Sequence, residues 1–76
     1  MLSDDARKTL TVLWNLYQYK EFKVDMNRIC KKAQRTEQQV RDALNELYKA
    51  EYLLWDKPNS IFRLLYSRES EKLNWK

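Results

Sequence analysis

The sequence predicts an α+β fold that is mostly helical, with three helices followed by a C-terminal β-hairpin. Three observations carry this reading. Apolar residues recur at helical spacing in three stretches before residue 51, and a capping residue precedes each stretch. Beyond Glu51 the pattern changes to Tyr52-Leu53-Leu54-Trp55 and Ile61-Phe62-Arg63-Leu64-Leu65-Tyr66, two runs rich in aromatic and aliphatic residues.

The first helix starts after Ser3, a good N-cap, with Asp4 and Asp5 placed to complement the positive end of the helix dipole. Ala6, Leu10, Leu13, Trp14 and Tyr17 form one apolar stripe, and Val12, Leu16 and Tyr19 form a second. Such a helix is either covered on two sides or lends its second face to a partner subunit. Residues 20–24 read as a linker. Asp25 then caps a helix of about two turns, in which Met26, Ile29, Cys30 and Ala33 repeat at helical spacing and Cys30 is expected in the core.

Gln34 and Arg35 make a tight connection to Thr36, which forms a capping box with Gln39. The third helix runs from there to about Ala50, with Val40, Ala43, Leu44, Leu47 and Tyr48 expected inward. Pro58 and Asn59 supply turn chemistry between the two strands. Residues 1–66 are read as one domain and 67–76 as a tail that frays or docks as a short helix.

Composition narrows the function. The chain of 76 residues is 43% hydrophobic and 13% aromatic, enough for one small core. It has no glycine, which removes glycine-rich phosphate cradles, and no histidine and a single cysteine, which removes the usual zinc sites and nucleophile pairs. Neither an enzyme nor a cofactor site is expected. No apolar run approaches the roughly 18 residues that cross a bilayer, and the acidic start Met1-Leu2-Ser3-Asp4-Asp5 is unlike a signal peptide. A cytoplasmic protein away from the membrane is the expectation.

The net charge of +4 is concentrated in one place. Residues 1–19 balance, as do residues 36–76, whereas Lys20, Lys23, Arg28, Lys31, Lys32 and Arg35 face only Glu21 and Asp25. This stretch either attracts a polyanion or is an ordinary solvated helix face.

Between residues 24 and 66 the chain resembles the winged helix-turn-helix family of small transcriptional regulators of prokaryotic or phage type. Val24-Asp25-Met26, Ile29-Cys30 and Ala33 match its second helix. Thr36, Val40, Leu44 and Leu47 match the cap and core of its recognition helix, and Tyr52-Leu53-Leu54 matches the strand entering the wing. Family members usually carry a glycine near Gln34, an aliphatic residue at Arg35 and a glycine at Glu51. A non-glycine residue in a left-handed conformation costs about 1 kcal/mol, which favours a different turn shape at these places. Arg35 is expected to point outward beside the start of the third helix.

The resemblance implies that the third helix enters the major groove of double-stranded DNA. Glu37, Gln38, Arg41, Asp42 and Asn45 would then meet base edges, with Gln38 suited to adenine and Arg41 to guanine. Arg28, Lys31, Lys32, Arg35 and Thr36 would hold phosphates, and Lys57, Asn59 and Arg63 of the wing would reach the backbone or minor groove. A monomer this small would bury only a modest interface, so binding as a homodimer on symmetric half-sites or alongside another protein is expected, with Val12, Leu16, Tyr19, Leu73 and Trp75 as the candidate self-association surface. The third helix is itself slightly acidic, and Glu37 with Arg41 also reads as a plain surface ion pair. The second reading is therefore a winged helix that binds a protein partner and not DNA, through this helix or the aromatic hairpin.

Overall fold

A computed structural model describes residues 1–73 of the chain. Its elements are α1 (Asp4–Tyr17), α2 (Met26–Ala33), α3 (Glu37–Lys49), β1 (Leu53–Asp56), β2 (Ile61–Leu64) and α4 (Glu69–Leu73). This is a mostly helical α+β fold in which three helices precede an antiparallel hairpin, the layout of a winged helix-turn-helix.

Each of the three longer helices begins at the residue whose side chain can satisfy its free amides. Ser3 accepts from the Ala6 amide, Asp25 from the Arg28 amide and Thr36 from the Gln39 amide. The Gln39 side chain returns the contact by accepting from the Thr36 amide at 2.9 Å, completing the capping box.

The inward stripes then meet in one core. Leu10 and Leu13 of α1, Ile29 of α2, Val40 and Leu47 of α3, and Leu53 and Leu64 of the hairpin are essentially without solvent contact. Val12 is also buried, at 6% exposed, and belongs to the core. Leu16 is half-buried beside it. Tyr19 is 43% exposed, but its ring meets Trp14 edge-on and its hydroxyl donates to Glu71. Among the other proposed association residues, Leu73 closes α4 with its side chain outside the described residues, as is Trp75 entirely.

Two expectations of burial are corrected. Tyr48 is 39% exposed, packed edge-on to Trp55 and not turned inward, and Cys30 is half-buried and not enclosed.

The segment 20–24 is more than a linker. Phe22 pairs with Phe62 as an antiparallel bridge, exchanging N–H to O bonds of 2.9 and 2.8 Å. β2 therefore lies between Phe22 and β1. The register Leu53↔Leu64 and Trp55↔Phe62 directs these four side chains to the core side, and Leu54↔Arg63 to the outside.

The turns after α2 and α3 keep the left-handed shape without glycine. Gln34 has φ 55° and ψ 46°, and Glu51 has φ 64°. In each case the residue that follows reaches back across the helix end, Arg35 N–H to the Cys30 carbonyl and Tyr52 N–H to the Leu47 carbonyl. These are Schellman-type closures, which satisfy carbonyls that a helix end leaves free. The expected change of turn shape does not occur, because these backbone bonds and the packing of Tyr52 offset a strain of about 1 kcal/mol per residue.

Beyond residue 66 the chain docks through α4. Glu69 accepts from the Leu2 amide at 2.5 Å, and Lys72 donates to the Ala50 carbonyl while lying 4.6 Å from the Tyr52 ring centre. The start of α1, the end of α3 and the hairpin are thereby joined. Among the described residues no helix is long and apolar enough to cross a membrane.

Candidate nucleic-acid interface

The cap at Thr36 and the buried stripe of Val40, Ala43, Leu44 and Leu47 fix the rotation of α3. Glu37, Gln38, Arg41, Asp42 and Asn45 consequently all lie on its exposed side, as the sequence predicts. They are not independent of one another. Arg41 Nη2 donates to Glu37 at 2.5 Å and Gln38 Nε2 donates to Asp42 at 2.9 Å, both one helical turn apart. The third carboxylate of α3, Glu46, is turned away to α1, where it accepts from the amide and hydroxyl of Ser3 at 2.6 and 2.7 Å. Each acidic side chain of α3 is thus already held by a donor within the fold.

The cations of α2 are in the opposite condition. Arg28, Lys31 and Lys32 are exposed, and among the described residues none has a carboxylate within ion-pair distance. Thr36 is exposed as well, with its hydroxyl oxygen accepting the Gln39 amide, which leaves its proton free to donate.

Arg35 differs from the α2 cations in being engaged within the fold. Its Nε donates to Asp5 of α1 at 2.7 Å, and Nη1 donates to the carbonyls of Ala33 and Gln34 at 3.3 and 3.2 Å. The side chain is half-buried and folded back on α1, with Nε and Nη1 engaged within the fold. Arg35 stands at the position after a left-handed helix end, where an apolar residue normally packs, and the ion pair with Asp5 replaces that packing.

The wing residues are also partly engaged. The Lys57 ammonium lies 4.9 Å from the Trp55 ring centre and 5.9 Å from that of Tyr48, a cation–π arrangement that holds it against the hairpin. Asn59 donates to Asp56 at 2.9 Å. Arg63 is exposed beside Leu54, on the face of the hairpin turned away from the core. Of the aromatic residues around the hairpin that suggest a protein partner, Tyr52 and Phe62 are buried and Trp55 and Tyr66 half-buried: Trp55 lies between Phe62 and Tyr48, and Tyr66 is edge-on to Tyr52.

Asp5, Glu46 and Phe22 were not among the candidate site residues read from the sequence. The first two read as dipole-complementing or surface carboxylates, and a single bridging residue leaves no periodic pattern to find. No family model matches the chain, and no match is found among curated proteins or solved structures.

Proposed function

We propose that the chain is a non-enzymatic domain that binds double-stranded DNA, with the exposed side of α3 in the major groove and α2 on the flanking backbone. The observation that carries this reading is the asymmetry of charge engagement. Every carboxylate of α3 is held by a neighbour, whereas Arg28, Lys31 and Lys32 of α2 are exposed and free of ion pairs among the described residues. Backbone contact is supplied by such exposed, unpaired cations, and base contact by bidentate groups on a helix. Gln38, Arg41 and Asn45 are of that kind. Arg41 retains donors beyond the one given to Glu37, and a duplex competes for all of them. The wing contributes through Lys57 after it leaves the Trp55 ring.

Titration of labelled protein with a short mixed-sequence duplex, followed by NMR at low and moderate salt, tests the proposal. Salt-sensitive shifts are expected at Arg28, Lys31, Lys32 and the exposed side of α3. Three phosphate contacts give a salt slope of about −3 in the logarithm of the binding constant. An absence of shifts at low salt overturns the DNA reading in favour of a protein partner.

A further inference from the structure

An open groove of about 530 Å³ lies between α3, the hairpin and the segment joining α1 to α2. Its size falls among small-molecule sites, which span roughly 300–1,000 Å³. The floor is apolar, made by Val24, Met26, Leu44, Trp55 and Phe62. The rim carries Lys23, Arg41, Asn45 and Ser60, so the lining holds two cations and no carboxylate. Glu37 engages only Nη2 of Arg41, and Lys23 has no ion-pair partner among the described residues. Phe22 anchors the neighbouring segment to β2, which keeps Lys23 and Val24 against the groove.

We propose that this groove binds a small hydrophobic carboxylate. Its apolar body of one or two rings would cover the floor, and its carboxylate would sit between Lys23 and Arg41 with Asn45 in reach as a donor. The charge of the rim selects the class of ligand. A hydrophobic cation is repelled by both side chains, a neutral molecule leaves Lys23 without a partner and Arg41 with Glu37 alone, and an inorganic anion leaves the apolar floor in water. Binding here is a property of the protein alone and does not rest on the DNA reading. If both hold, ligand and DNA compete, because Arg41 and Asn45 belong to both surfaces.

The test uses the full chain with 2-naphthoate and its neutral counterpart 2-naphthylmethanol, followed by methyl and indole NMR. Shifts are expected at the methyl groups of Val24, Met26 and Leu44 and at the Trp55 indole N–H. A dissociation constant of about 0.1–1 mM is expected for a ligand of this size. The acid is expected to bind about tenfold more tightly than the alcohol, the scale of one charge-assisted hydrogen bond. Arg41→Gln and Lys23→Gln, both at exposed positions, should each reduce that difference and leave the core spectrum unchanged. Absence of methyl shifts at millimolar acid, shifts centred elsewhere, or equal binding of acid and alcohol overturns the proposal. Naphthoate binding in a protein that ignores DNA overturns the DNA reading alone.

Discussion

Arg35 in the turn between α2 and α3 donates to Asp5 in the first turn of α1 across 2.7 Å, tying together two elements thirty residues apart. The pair is only partly shielded, with side chains 29% and 40% exposed, so solvent screens much of its attraction. Loss of the pair and of two carbonyl contacts in Arg35→Ala is expected to destabilise the fold by about 1–2 kcal/mol. The same substitution should leave the salt slope of DNA binding unchanged, whereas Lys31→Ala and Lys32→Ala should each reduce it by about one. Urea unfolding and binding at several salt concentrations measure both effects. A reduced slope for Arg35→Ala would put its guanidinium back on a phosphate.

Gln34→Gly is expected to stabilise the protein. Gln34 holds φ 55° and ψ 46°, a conformation that costs a residue with a β-carbon about 1 kcal/mol. Glycine removes that strain but widens the unfolded ensemble, which leaves a net gain of about 0.5 kcal/mol. Denaturant midpoints of the two proteins decide the sign. A loss of stability would mean that the Gln34 side chain makes a contribution larger than the strain.

Thr9→Val should also stabilise. Thr9 is fully buried on α1, and its hydroxyl has no hydrogen-bond partner among the described residues. Replacing the hydroxyl by a methyl group of similar shape relieves a desolvation cost of about 1 kcal/mol. In a domain of this size that raises the melting temperature by about 4–8 °C. An unchanged or lower melting temperature in calorimetry would show that the hydroxyl is satisfied.

Docking of α4 is expected to weaken at both ends of the pH scale. Hydrogen bonds from the Ser67 hydroxyl, and then from Tyr19, hold the Glu71 carboxyl below the usual glutamate range. The bond to Glu71 in turn pushes the Tyr19 phenol above its ordinary value. A lowered carboxyl stabilises the folded form above the ordinary glutamate pKa, and that contribution disappears as pH falls through the folded value. A raised phenol stabilises below the ordinary tyrosine pKa, and its contribution disappears as pH rises through the folded value. Docking is therefore strongest between the two. Tyr19→Phe should move the Glu71 titration upward toward an ordinary glutamate, as read from its carboxyl carbon shift. An unmoved titration would remove Tyr19 from this contact.

What the sequence made legible were the features that depend on neighbours in the chain. Ser3, Asp25 and Thr36 act as caps within three residues of the amides they satisfy, and α3 turns its polar residues outward because its apolar residues repeat at helical spacing. Contacts between distant residues were not legible. Asp5 meets Arg35 and Phe22 meets Phe62 only after the helices have packed, and neither pair alters local composition. The place of Val12 stayed open for a related reason. An apolar residue on a second stripe looks the same in the sequence whether a subunit or the rest of the same chain covers it.

The bridge between Phe22 and Phe62 also restricts how the length of the chain can vary. A surface connection of this kind would ordinarily tolerate insertion or deletion. Here a one-residue change between α1 and Phe22 would have to be absorbed by the turn at residues 18–20 for Phe22 to keep its two backbone bonds to Phe62. The connection works as a ruler, setting the distance from the end of α1 to the hairpin. Length variants that retain function should therefore change the turn at residues 57–60 and leave residues 18–25 intact.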